Sequence, residues 1–193
     1  MQQEKDIVET VRTALGTRSL VLVGLMGCGK SSIGRRLATR LALPFIDADE
    51  EIERVARKSI SEIFTDHGEA FFRDREAKVI ARLLSGGPQV LATGGGAFMT
   101  EETRAQIREA GISIWLRAEL PVLMRRVGKR DTRPLLKDSD PEAVMRRLMD
   151  ARYPVYAEAD ITVESRDVPH EAIVSEIVNA LTRHPALAQM PPI

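Results

Sequence analysis

The sequence predicts one α/β domain built on a parallel sheet. Short apolar runs alternate with long helical patterns, and the first run opens directly into a glycine-rich turn, "GLMGCGKS", at residues 24–31. Strands separated by helices of this length imply parallel βαβ units. The 193 residues, 44% of them hydrophobic, suit a single core better than two.

The elements follow in order. Residues 1–18 are polar with weak helical periodicity (Ile7, Val8, Val11, Leu15) and read as an N-terminal extension. Strands are expected at "LVLV" 20–23, "PFID" 44–47, "QVLA" 89–92, "ISIWL" 112–116 and "ITV" 161–163. Ser59 with Glu62 has the spacing of a capping box. Asp140 before Pro141 offers an N-cap followed by proline at the first helical position. The core is expected over 19–183, and residues 184–193, with three prolines in "RHPALAQMPPI", form a tail. Disorder or modest packing is expected of both ends.

Bulk properties exclude several classes. Lys plus Arg and Asp plus Glu both total 28, so no excess positive charge is available for a nucleic-acid backbone or an anionic membrane. No apolar run reaches the roughly 18 residues of a membrane span, and the start lacks a basic segment followed by an apolar one. A soluble cytoplasmic protein with a small-molecule partner is expected. The single cysteine, Cys28, forms no internal disulfide, and three scattered histidines do not make a metal cluster with it.

Gly24 to Ser31 fits G-x-x-x-x-G-K-[ST] between a predicted strand and the helical "KSSIGRRLATRL". Glycines let successive backbone N–H groups turn toward one anion, and the following helix adds its positive dipole end. In this motif Lys30 holds the β- and γ-phosphates, and Ser31 supplies a hydroxyl to Mg²⁺. Gly27, Cys28, Gly29 and Ser32 complete the expected nucleotide contacts. Cys28 has two readings: a thiol activated by the lysine and helix end, or a small residue at a variable position.

Four further clusters supply an acceptor side. "FIDADEEIE" puts Asp47 and Asp49 at the end of the second strand, on one side if the strand persists; the acids equally fit a helix N-terminus. "FFRDRE" sets Arg73 beside Phe71 and Phe72, as a site residue or as an exposed helix arginine. "LATGGGAF" carries Gly94, Gly95 and Gly96, which allow a ligand close to the backbone. "RRVGKRDTRPLLKDSD" reads as a plain loop or as a lid that swings Arg130 or Arg133 onto transferring phosphates.

Together these motifs, with "RPLL" and "ARYPVYAEAD", resemble the bacterial shikimate kinases over about residues 19–181. The resemblance implies a nucleoside-monophosphate-kinase fold: a three-layer α/β/α P-loop kinase with a five-stranded parallel sheet in order 2-3-1-4-5 and a mobile lid over about 128–139. It implies transfer of the γ-phosphoryl of ATP to the 3-hydroxyl of shikimate, with Mg²⁺, in a monomer. Position by position, Lys30, Asp49 and Arg133 match the catalytic residues, and Ser31 and Asp47 the metal-binding pair. Arg73 and Arg152 match the clamp on the substrate carboxylate, Glu76 the partner that orients Arg73, and Gly94 to Gly96 the backbone against the substrate. Phe64, Phe72, Pro134 and Leu135 match the pocket wall, and Arg126 the arginine lying against adenine, opposite a residue of the loop 164–169. The rivals are another small-molecule kinase, such as one acting on gluconate, a catalytically silent P-loop module, and a nucleotide-hydrolysing switch.

Overall fold

The computed structural model describes residues 2–128 and 140–188. Five strands, β1 (Ser19–Val23), β2 (Phe45–Asp47), β3 (Val90–Ala92), β4 (Gly111–Arg117) and β5 (Ile161–Glu164), form one parallel sheet in the order β2-β3-β1-β4-β5. Each expected strand is present within a residue or two of its apolar run. The central strand β1 is buried along its whole length, as its unbroken "SLVLV" requires of a strand covered on both faces.

Helices fill the crossovers and flank the sheet at both ends of the chain: α1 (Gln2–Leu15), α2 (Lys30–Leu41), α3 (Ala48–Ala56), α4 (Ile60–Leu84), α5 (Glu101–Ala110), α6 (Leu120–Val127), α7 (Pro141–Tyr156), α8 (His170–Arg183) and the short α9 (Pro185–Ala188). α2 buries Ile33, Leu37 and Leu41, and α8 buries Ile173, Ile177 and Leu181. Such four-residue spacings put one apolar face of each helix inward, and the two helices pack together. Both expected helix starts have their caps. Ser59 and Glu62 form the reciprocal capping box of α4, and Asp140 accepts from the Ala143 N–H at 3.0 Å to cap α7.

The N-terminal extension is a helix that packs. Val11 and Leu15 lie in the main core, and α1 rests on α2, α8 and α9. Arg18 donates to the carbonyls of Ala14 at 3.0 Å and Ala186 at 2.8 Å, which ties the two ends of the chain together.

α4 is broken within its span. Gly68 has φ 80° and ψ 174°, a conformation open to glycine and strained for other residues, and it separates two helical stretches. Beside the break, Ile52, Ile63 and Phe72 form a second, smaller apolar cluster apart from the main core. A cavity of about 490 Å³ opens there between α3 and α4.

Candidate active site

The sheet order brings the ends of β1, β2 and β3 side by side, since Leu22 and Asp47 both register with Ala92. Loops leaving these ends therefore share one crevice, the usual ligand site of an open parallel sheet.

The loop after β1 takes its shape from glycines. Gly24, Gly27 and Gly29 have φ values of 138°, 82° and 98°, and Gly29 caps α2 without a side chain. The first turn of α2, Lys30 to Ser32, thus points N–H groups without helical acceptors into the crevice. Lys30 Nζ donates to the carbonyls of Gly24 at 2.7 Å and Leu25 at 3.1 Å, so the ammonium sits inside its own loop. Cys28 is fully buried, which removes the solvent access that a reactive thiol needs.

Ser31 Oγ donates to Asp47 Oδ2 at 2.7 Å. Asp47 ends β2 and caps α3, its Oδ1 accepting from the Asp49 N–H at 3.1 Å. The strand does not persist to Asp49, which lies in the first turn of α3, so the two acids are not successive residues on one strand face. Strand-end acid and helix-start acid are here the same residue, Asp47. Two hard oxygens this close form a pair of donors that suits a hard divalent cation.

The glycines after β3 are enclosed by charged side chains. A Cβ on Gly94 would lie 2.6 Å from Glu76 Oε1 and 2.7 Å from Asp49 Oδ1, and one on Gly96 would lie 2.6 Å from Arg73 Nη1. Only glycine leaves these tips their places. Arg73 is partly buried: it donates to Glu76 Oε2 at 2.5 Å and to Glu69 Oε1 at 3.2 Å, and its guanidinium lies 5.1 Å from the Phe72 ring centroid. Phe72 in turn stacks against Phe64 at 4.7 Å. Burial disfavours the Arg73 charge, but Glu76 and Glu69 more than offset this and hold its pKa above the ordinary value. Glu76 is almost wholly buried. Burial pushes its pKa up from the usual carboxylate range, Arg73 pulls it back, and Asp49 adds to the push.

From α7, Arg152 Nη1 donates to the Gly95 carbonyl at 2.9 Å, and the Tyr156 hydroxyl donates to the same oxygen. Tyr156 is fully buried, and desolvation raises its phenol pKa well above the ordinary value. It escaped the sequence reading, although the stretch "ARYPVYAEAD" contains it four residues after Arg152, one helical turn away.

On the opposite flank, Arg126 donates to Ser165 Oγ at 2.9 Å and to the Arg166 carbonyl at 2.7 Å, with a longer bond to the Gly27 carbonyl at 3.4 Å. Ser165 is itself buried and donates to the Cys28 carbonyl at 2.6 Å. The loop after β5 is thereby joined to the phosphate loop. No sequence signal singled out Ser165. Arg130, Arg133, Pro134, Leu135 and all but the first residue of the expected lid lie outside the described residues.

A phosphate loop on the central strand, with acids and two arginines gathered around an adjacent glycine turn, defines a P-loop kinase that acts on a small acceptor. The family model for shikimate kinase matches residues 26–182. A shikimate kinase of Rhodopseudomonas palustris is 60% identical over 190 residues, 98% of this chain and 91% of that protein. One from Bradyrhizobium diazoefficiens is 61% identical over 181 residues, covering 94% and 86%. Among solved structures, the Acinetobacter baumannii shikimate kinase in complex with shikimate superposes with a TM-score of 0.84 at 35% identity, over 90% of this chain and 98% of that one. The chain belongs to the shikimate kinase family.

Proposed function

We propose that the protein transfers the γ-phosphoryl group of ATP to the 3-hydroxyl of shikimate, giving shikimate 3-phosphate and ADP on the route to chorismate and the aromatic amino acids. The observation that carries this reading is the meeting of Arg73, Arg152, Asp49 and Glu76 around Gly94 to Gly96, beside the phosphate loop. A hydroxylated carboxylate needs that combination: forked cations for its anion and acceptors for its hydroxyls. Membership in the family and the shikimate-bound relative support the same substrate.

In this reading Arg73 and Arg152 grip the substrate carboxylate, and Phe64, Phe72 and Leu135 wall the ring. Gly95 and Gly96 offer backbone N–H groups to its substituents. Asp49 orients the attacking hydroxyl and accepts its proton as the oxygen–phosphorus bond forms and the bond to the ADP oxygen breaks. A loose transition state requires little proton removal early on, so Asp49 first orients the hydroxyl and takes its proton late. The α2 N-terminus and Lys30 hold the phosphates, and Lys30 exchanges the carbonyls of Gly24 and Leu25 for them. Arg133 adds positive charge to the transferring group, a contribution of about 4 to 7 kcal/mol for such a residue. Ser31 and Asp47 would hold Mg²⁺, which would neutralise phosphate charge there. Arg126 lies against the adenine. The protein acts as a cytoplasmic monomer; no helix among the described residues is long and apolar enough to cross a membrane.

The test is ADP release from Mg-ATP with shikimate, with gluconate and with no acceptor, for wild type and Arg152→Ala. Stimulation by shikimate alone is expected. In the variant the KM for shikimate rises steeply while that for ATP holds. Equal slow release under all three conditions would overturn the reading in favour of hydrolysis.

A further inference from the structure

Glu76 has more to do than hold Arg73. One of its oxygens, Oε2, takes the Arg73 guanidinium at 2.5 Å. The other, Oε1, is buried and without a hydrogen-bond partner. A charged carboxylate oxygen left this way is costly, and the cost has to be met by the groups around it. Oε1 faces the same small space above the Gly94 Cα as Asp49 Oδ1, each lying within 2.7 Å of one point there. Two acids thus border one small space above a glycine.

The charges around Glu76 come from three elements. Arg73 is on α4 with Glu76, Asp49 is on α3, and Arg152 reaches in from α7. Glu69, one turn before Arg73, is exposed and shares its guanidinium. Arg73 and Arg152 balance Glu76 and Asp49, so the cleft is close to neutral before a substrate enters. A carboxylate seated on the two half-buried arginines adds one negative charge to the cleft, and it competes with Glu76 for Arg73. Glu76, the most deeply buried of the acids, is then the one that loses its compensation.

We propose that Glu76 takes up a proton when the acceptor carboxylate binds, and that the proton sits on Oε1 as a hydrogen-bond donor toward Asp49. One proton leaves solvent, the orphan oxygen gains a partner, Oε2 still accepts from Arg73, and Asp49 keeps the negative charge that receives the substrate hydroxyl. Glu76 is thus a positioning residue, acting on the substrate through Arg73 and Asp49. The inference rests on shikimate, or a carboxylate like it, being the acceptor.

The experiment is calorimetric titration of the full-length protein with shikimate, without nucleotide, in buffers of different ionisation enthalpy at pH values from 6.5 to 8.5. The dependence of the heat on buffer gives the protons taken up. Wild type should take up a fraction of one proton, largest between the Glu76 pKa of the free protein and that of the complex, and its affinity should fall by up to tenfold per pH unit as pH rises through that interval. Glu76→Gln, whose amide imitates the protonated acid, should bind with no Glu-linked uptake and a flat affinity across the range. Absence of uptake in wild type would overturn the proposal without the variant, as would equal uptake in a folded Glu76→Gln protein. Failure of shikimate to bind wild type at any pH would instead strike at the function, and gluconate titrated in parallel separates the two outcomes.

Discussion

Replacing Gly96 with alanine tests the acceptor clamp without touching either arginine. The backbone there has φ −101° and ψ −12°, which alanine adopts freely, so strain is not the issue. The new methyl would lie 2.5 Å from Arg73 Cζ and 2.6 Å from Nη1. Ordinary carbon contacts begin near 3.5 Å, so the guanidinium must retreat by about 1 Å. That retreat spoils its bond to Glu76 and its aim at the substrate. A hydrogen bond to a charged group contributes about 1.5 to 3 kcal/mol, so shikimate affinity should fall roughly 10- to 100-fold. The fold should suffer less, because Arg73 is long, reaches solvent and keeps Glu69 within range. Steady-state ADP release gives both KM values, and thermal melting reports on the fold. A wild-type KM for shikimate, or an equal loss for ATP, would refute the placement of Arg73 in the clamp.

Other outcomes are equally checkable. Asp49→Asn should retain shikimate binding within about tenfold, while turnover at saturating shikimate drops by about 10² or more, the range for a positioned acid–base group; near-normal turnover would remove it from proton transfer. Ser59→Ala abolishes the reciprocal cap of α4 and should cost about 1 kcal/mol, seen as a melting temperature lower by roughly 2 to 4 °C. Glu51 is held at a pKa of about 2, first by its hydrogen bonds with Arg54 and then by Arg82. A depressed carboxylate stabilises above its unfolded pKa and loses that contribution as pH falls from the mid-4 range toward 2. Because the arginines are exposed, the effect should stay below about 1 kcal/mol, measured as the difference between wild type and Glu51→Gln in chemical denaturation at pH 6 and pH 3.

The parts of the site that could be read from the sequence are those in which local residue type and spacing carry the chemistry. The phosphate loop is one such part, because its backbone shape depends on glycines that the chain states outright. The triple glycine is another, since three missing side chains announce a close approach. Arg73 is ambiguous for a physical reason: whether a helix arginine faces solvent or a cleft depends on what packs across from it, here the Gly96 backbone after β3. Asp47 and Asp49 were ambiguous because β2 gives way to α3 with no intervening loop, and no local signal marks that boundary. Tyr156 and Ser165 make bonds to backbone carbonyls 61 and 137 residues away in the chain. Such partners exist only once the topology is known. The break at Gly68 was equally silent, since a single glycine within a helical pattern is usually tolerated.

The two halves of the cleft rest on different ground. The nucleotide side is rooted in the main core through β1, α2 and α8, whereas the part of the acceptor side carried by α3 and the front of α4 leans on the small cluster of Ile52, Ile63 and Phe72, with a cavity at its back. A unit with so few apolar anchors opens at lower free energy than the sheet does. The enzyme therefore has a stiff grip for the cosubstrate that every such kinase shares and a pliant one for the molecule it must choose. Change in acceptor preference, whether by selection or by design, has room to begin in α3 and the front of α4 at little expense to the hold on ATP.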